Sequence, residues 1–114
     1  MPTIIYHNPA CSTSRNVLEA LREAGKAPEV VDYLKAGWTL PLLKSLMRQT
    51  GLSARELLRT RGDQAKEAGL TDTSSEAEIL AAMVAHPVLV ERPIVVTDKG
   101  AALVRPKEKL AELL

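Results

Sequence analysis

Strand-forming patterns lie only towards the two ends of this 114-residue chain, and helical patterns fill the stretch between them. Residues 3–6 (TIIY) are β-branched and aromatic, which is typical of a buried strand. Residues 13–24 repeat apolar side chains at helical spacing, with Gly25 as a stop, and residues 28–33 (PEVVDY) indicate a second strand. The opening of the chain therefore predicts a strand–helix–strand unit whose first strand leads directly to Cys11.

The middle of the chain, from about residue 39 to 86, carries three helical signals and no convincing strand. Thr39 is suited to cap a helix that runs to about Thr50, and Gly51 is suited to end it. Residues 53–56 (SARE) and 75–78 (SEAE) both have the pattern of a capping box, in which serine and glutamate accept hydrogen bonds from the first backbone amides of a helix. We expect the apolar side chains of the first and last helices to face inward, namely Leu42, Leu43, Leu46, Met47, Ile79, Leu80, Met83 and Val84.

Strand patterns return after the last helix, which should end at His86 because a residue before proline is pushed out of the helical region. Residues 94–97 (IVVT) predict a buried strand, and residues 101–104 predict its hairpin partner across a turn at 98–100. Pro106 is well placed in the first turn of a closing helix, whose inward residues would be Leu110 and Leu113.

The order of these elements predicts an α/β protein. A strand–helix–strand half and a strand–strand–helix half enclose a helical insertion at about 39–86, which is similar to a thioredoxin-like fold with a mixed four-stranded sheet. At 114 residues the expectation is a single domain spanning 1–114.

The composition excludes several classes of function. Lys and Arg exceed Asp and Glu by one residue, so the net charge of +1 gives no reason to expect a nucleic-acid partner. No apolar run approaches the roughly 18 residues that span a bilayer, and the N-terminus lacks the basic start of a signal peptide. We expect a cytoplasmic, monomeric protein with no membrane partner.

Cys11 is the single cysteine of the chain, and it lies where the first strand turns into a helix. Unpaired amides at a helix N-terminus favour a thiolate over a thiol, and they favour an incoming oxyanion as well. His7 and Arg15, four residues to either side, could add positive charge, and Ser14 could donate a hydrogen bond to the sulfur. The alternative is that Cys11 is a small buried packing residue.

The residues that are missing narrow the chemistry. Without a second cysteine there is no internal resolving thiol, and the Cys-x5-Arg loop of tyrosine phosphatases is absent. One cysteine and two distant histidines do not supply a zinc site. A Cys-His protease is disfavoured because His86 falls at a helix end with no orienting partner.

Residues 7–16 (HNPACSTSRN) closely resemble the active-site loop of the glutaredoxin-dependent arsenate reductase family. Three later segments match in the same order, at 57–59 (LLR), 91–96 (ERPIVV) and 104–106 (VRP). The resemblance spans nearly the whole chain and implies a thioredoxin-like fold with a helical insertion.

The resemblance implies that Cys11 attacks arsenate and forms a thiol-arsenate ester. It also implies that Arg59, Arg92 and Arg105 converge on the oxyanion, for which planar, permanently charged guanidinium groups are suited.

His7 would lower the pKa of Cys11, Ser14 would support the thiolate, and the Arg92–Pro93 bond resembles the family's cis-proline position. Glutathione as co-substrate and glutaredoxin as partner would complete reduction to arsenite, with no bound cofactor and no metal.

Two features depart from the family pattern. The chain stops at Leu114, where well-characterised members continue, and Ser12 stands where glycine is common. The alternatives are a thiol oxidoreductase acting on another oxyanion or an oxidised thiol, and a regulator of the Spx type that binds RNA polymerase. Most such regulators carry Cys-x-x-Cys, whereas Ser14 occupies the second position here.

Overall fold

The structure is a computed structural model that describes residues 2–105 and 107–114, so the predicted role of Pro106 lies outside the described residues. The chain divides into two compact units. One contains the residues up to Ala36 together with those from Arg92 onward, and the other is Gly37–Glu91. No helix within the described ranges combines the length and the apolar character needed to cross a membrane.

The first unit is built on the predicted mixed four-stranded sheet, which is confirmed. Its strands are β1 (Ile4–His7), β2 (Glu29–Asp32), β3 (Ile94–Thr97) and β4 (Gly100–Leu103), in the spatial order β2-β1-β3-β4. β1 is parallel to β2 and antiparallel to β3, which in turn is antiparallel to β4. The last strand begins one residue earlier than predicted, because Thr97 pairs with Gly100 across a turn of only two residues.

Helix α1 (Ser12–Glu23) joins β1 to β2, and the short helix α2 (Tyr33–Ala36) follows β2. α1 ends before Gly25, whose φ of 80° is the left-handed conformation expected of a glycine stop. The closing helix, Lys107–Leu113, is a 3-10 helix. Buried residues of β1, α1, β3 and the C-terminal segment form one core cluster, namely Ile5, Val17, Leu21, Val95, Val104, Leu110 and Leu113. The inward positions predicted for the two C-terminal leucines are therefore confirmed.

The second unit is helical, with α3 (Leu40–Thr50), α4 (Ala54–Leu57), α5 (Gln64–Glu67), α6 (Glu76–Ala85) and a 3-10 turn at Pro87–Leu89. The predicted caps are confirmed. The Thr39 hydroxyl accepts a hydrogen bond from the Leu42 amide, and Gly51 ends α3 with φ of 75°. Both predicted capping boxes form in full, at Ser53 and at Ser75.

The inward position predicted for Val84 is wrong. Its side chain is 41% exposed, whereas Ile79, Leu80 and Met83 of the same helix are buried. Val84 lies one residue beyond Met83 and hence about 100° further round the helix. Since α6 is apolar on nearly every side, the sequence periodicity could not identify its inner face.

The capping box at Ser75 gives a measurable contribution to stability. We expect Ser75→Ala to lower the free energy of unfolding by about 1 kcal/mol, because the Glu78 amide loses its acceptor. Urea unfolding of both proteins measures this. Ser45→Ala is the control, since that hydroxyl lies inside α3 and bonds only to the Gln49 side chain. Equal losses in the two variants would contradict the prediction.

Candidate active site

The loop from β1 to α1 is held by its own hydrogen bonds. The Asn8 side-chain oxygen accepts from the Ala10 amide at 2.9 Å, and the Asn8 carbonyl accepts from the Cys11 amide at 3.0 Å. These contacts close a turn over the Asn-Pro pair and leave Cys11 as the N-cap of α1, with φ of −94° and ψ of 120°. The sulfur therefore lies at the positive end of a 12-residue helix.

Two arginines reach this loop from the other half of the sheet. Arg92 precedes β3 by two residues and Arg105 follows β4 by two, so the hairpin, in which Ile94 pairs with Leu103, brings them to one end of the sheet. The Arg105 Nη1 atom lies 3.6 Å from the Cys11 sulfur and also donates to the Arg92 carbonyl at 3.0 Å. The peptide bond between Arg92 and Pro93 is cis, as the resemblance implied.

These surroundings lower the pKa of the Cys11 thiol. Partial burial acts against ionisation and is the largest single influence. Hydrogen bonds from the Ser14 backbone amide and the guanidinium groups of Arg105 and Arg92, together with the Arg92 charge, outweigh it. The thiol pKa therefore falls below its ordinary value, which supports the predicted thiolate.

The Ser14 hydroxyl faces His7 rather than the sulfur. Its Oγ lies 2.6 Å from the His7 Nδ1 and accepts a hydrogen bond from the Asn8 amide at 3.1 Å. Within Ser14, the group that favours the Cys11 thiolate is the backbone amide. The predicted support of the thiolate by Ser14 thus comes from its main chain, while the Oγ atom contacts His7 and the Asn8 amide.

The environment of His7 favours its neutral form. Burial is the main cause of its lowered pKa, since only 6% of the residue is exposed. The Asp32 carboxylate acts in the opposite direction, whereas Arg22 and Arg15 lower the pKa further. A cationic imidazole beside the thiolate, one of the roles suggested by the sequence, is therefore disfavoured at neutral pH.

The side chains of Arg15 and Asn8 both form hydrogen bonds with backbone atoms of the loop. The exposed Arg15 guanidinium donates to the Pro9 carbonyl at 2.8 Å. Asn8 is buried and bonds through its amide, carbonyl and side-chain oxygen. The sequence identified Asn8 only as a turn residue. Its three separate contacts depend on where α1 begins and could not be deduced from spacing.

Arg59 belongs to the second unit, where its main chain is fixed by a short antiparallel bridge. Leu58 pairs with Val90, and the Arg59 amide donates to the Leu89 carbonyl at 2.7 Å. Close by, Arg61 forms an ion pair of 2.9 Å with the nearly buried Glu91. The role of Arg59 at the oxyanion stays a prediction. Among the residues that the structure describes, no group of His, Cys, Asp and Glu is arranged to hold a metal ion.

Comparison with known proteins identifies the family. The ArsC family model matches residues 6–113. The chain belongs to the ArsC family. An arsenate reductase of Synechocystis sp., ArsI2, is 49% identical over 112 residues, which cover 97% of this chain and 80% of that protein. The arsenate reductase of Escherichia coli (strain K12) is 43% identical over 111 residues, which cover 96% of this chain and 79% of that one.

A solved structure of an arsenate reductase from Vibrio cholerae is similar throughout. The TM-score is 0.93 at 41% sequence identity, and the match covers 100% of this chain and 98% of the other. This likeness to an ArsC structure confirms the thioredoxin-like fold with its mixed four-stranded sheet.

The contact between Arg105 and the sulfur predicts how the thiol pKa responds to substitution. We expect Arg105→Ala to raise the Cys11 pKa by about 1, because the hydrogen bond from a guanidinium group that favours the thiolate is lost. The pH dependence of alkylation by iodoacetamide measures the pKa.

Arg15→Ala is the matched control, since that guanidinium bonds to the Pro9 carbonyl. Its effect on the Cys11 pKa should be clearly smaller. An unchanged pKa in Arg105→Ala would show that the contact contributes nothing to ionisation.

Proposed function

We propose that this protein reduces arsenate, with the Cys11 thiolate as the nucleophile. The observation that carries the proposal is the Arg105 guanidinium on the Cys11 sulfur, beside the buried Arg92. A thiolate and two permanent cations at a helix N-terminus form a site for a tetrahedral oxyanion next to a nucleophile. The choice of arsenate as the substrate is supported by the similarity of this chain to two arsenate reductases.

In the first step, the sulfur attacks arsenic, and a hydroxyl group of the arsenate takes up a proton from solvent and leaves as water. A thiol-arsenate ester with an S–As bond results, and arsenic remains in the +5 state. Arg92 and Arg105 would hold the arsenate oxygens by bidentate, charge-assisted hydrogen bonds. Arg59 would supply a third guanidinium, as the family resemblance implies.

In the second step, an outside thiol attacks the Cys11 sulfur. The S–As bond breaks with its electron pair going to arsenic, which leaves as arsenite in the +3 state. Cys11 remains in a mixed disulfide with the incoming thiol. A chain with one cysteine cannot resolve that disulfide by itself, so another thiol must restore Cys11 by exchange.

We assign these outside thiols to glutathione and glutaredoxin. Both belong to the cytoplasm, where thiols are kept reduced, and we propose that the protein acts there. Cys11, Arg92 and Arg105 all come from one chain, which is consistent with a monomer as the working form.

The overall activity is tested with arsenate, glutathione and glutaredoxin together. We expect arsenite formation by the wild type, none by Cys11→Ser, and little when either thiol component is omitted, because each is needed for a full cycle. Arsenite is quantified directly. A wild-type protein with a native circular dichroism spectrum and a reactive thiol, yet no arsenite formation, would refute arsenate as the substrate.

Oxyanion binding is tested separately from thiol ionisation in the Cys11→Ser background, where no covalent step occurs. We expect Arg92→Ala and Arg105→Ala each to weaken arsenate binding about 10-fold or more, because each removes charged hydrogen bonds. Isothermal titration calorimetry measures the affinity. Arg48→Ala, at an exposed position of α3, is the control and should bind as the parent does. Equal affinity in all four proteins would refute the arginine site.

A further inference from the structure

A nearly buried carboxylate is joined directly to one of the arginines of the candidate active site. Glu91 is the last residue of the second unit and Arg92 is the next residue along the chain, so their Cα atoms are about 3.8 Å apart. The Glu91 side chain is only 10% exposed. Arg92 is one of the two arginines that favour the Cys11 thiolate. A negative charge at this place opposes the binding of an arsenate anion.

The Glu91 carboxylate forms an ion pair with Arg61. The Arg61 Nη1 atom lies 2.9 Å from the Glu91 Oε2 atom, and the Arg61 side chain is 48% exposed. Because the carboxylate is nearly enclosed, salt and solvent screen this pair less than they screen an ion pair on the surface. Arg61 therefore offsets the charge that Glu91 brings to the chain beside Arg92.

The main chain already joins the two segments that carry this ion pair. The Glu91 amide donates to the Leu57 carbonyl at 2.7 Å, and Leu58 pairs with Val90 in the antiparallel bridge. Arg61 follows Leu58 by three residues. Since backbone hydrogen bonds hold the two segments together, the contribution that the ion pair adds is charge.

We propose that Arg61 is the counter-ion that keeps the oxyanion site positive, by offsetting the charge of Glu91 beside Arg92. Arg92 and Arg105 supply positive charge near Cys11, Glu91 subtracts from it, and Arg61 restores it. Arg61 is thus a positioning residue, since it acts through Glu91 rather than on the substrate itself. The inference rests on the proposed function only in taking the surroundings of Cys11 as an oxyanion site.

Substitutions at the two positions should act in opposite directions. Glu91→Gln removes the negative charge. Arg61→Gln removes the positive charge and keeps an amide that can donate to Glu91. The double variant removes both charges and so restores the balance. If the pair were only a mechanical clamp, all three variants would be impaired, because each of them lacks the ion pair.

The charge near the Cys11 sulfur is measured by the rate of alkylation with iodoacetate relative to iodoacetamide. Both reagents lose iodide to the same thiolate, so the ratio of the two rates does not depend on the thiol pKa, and only iodoacetate is charged. At low ionic strength we expect the ratio to fall about 3-fold in Arg61→Gln, to rise about 3-fold in Glu91→Gln and to stay within about 1.5-fold of the wild type in the double variant.

Arg48→Gln is the control for net charge. It makes the same change as Arg61→Gln at an exposed position of α3, and its ratio should stay close to that of the wild type. An unchanged or lowered ratio in Glu91→Gln would overturn the proposal, and so would an unchanged ratio in Arg61→Gln. If circular dichroism shows that Arg61→Gln does not fold, Glu91→Gln decides, because a clamp predicts a fall and a counter-ion predicts a rise.

Arsenate affinity is measured by isothermal titration calorimetry in the Cys11→Ser background. We expect the affinity to fall about 5-fold with Arg61→Gln and to rise about 5-fold with Glu91→Gln, because arsenate carries more charge than iodoacetate. Arsenate binding that neither substitution changes would overturn the counter-ion role and leave the proposed function standing. The predicted changes in alkylation, together with no arsenate binding by the Cys11→Ser parent, would refute the proposed substrate and leave the counter-ion role standing.

Discussion

The antiparallel pairing of β1 with β3 is the constraint on which the candidate active site depends. β1 leads into the loop that carries Cys11, and β3 begins just after Arg92, so their pairing places the cysteine loop and this arginine at the same end of the sheet. The β3–β4 hairpin then returns the chain to that end at Arg105. A contact between residues 94 positions apart, Cys11 and Arg105, is thereby a direct consequence of strand register.

The arginines have two tasks that oppose each other in part. Arg92 and Arg105 stabilise the thiolate, and the same positive charges would neutralise an incoming arsenate. The bound anion would therefore weaken the electrostatic stabilisation of the thiolate by the two arginines. A less stabilised thiolate should be a better nucleophile towards the bound arsenate. Phosphate has the same shape and nearly the same charge, so guanidinium groups alone do not separate the two anions. The distinction must come from the central atom, because only arsenic accepts an electron pair when the bond to sulfur breaks.

The sequence predicted those features that depend on interactions between residues close together in the chain. The capping boxes at Ser53 and Ser75, the glycine stop of α3 and the position of Cys11 at the start of a helix all depend on neighbours within a few residues. The prediction that Val84 faces inward is wrong because α6 is apolar on nearly every side, so its sequence does not distinguish an inner face from an outer one. The bridge between Leu58 and Val90 was missed because a single pair leaves no alternating pattern. The contact of the Ser14 Oγ atom with His7 depends on how β1 and α1 pack, and the spacing of residues in the sequence does not specify that packing.

Because the chain has one cysteine, the Cys11 sulfur must be accessible to a thiol from another molecule. Reduction of arsenate takes two electrons, and in the proposed mechanism Cys11 would contribute one of the two sulfurs that become a disulfide. A second thiol would therefore have to approach the sulfur after the ester has formed. The loop meets this requirement on one side. Pro9, Ala10 and Ser12 are exposed around the half-buried Cys11, whereas His7, Asn8 and Ser14 are buried behind it. The buried side fixes the sulfur and its hydrogen bonds, and the exposed side leaves it within reach of an outside thiol. The site therefore separates the groups that set the thiol pKa from the surface through which the reaction is completed.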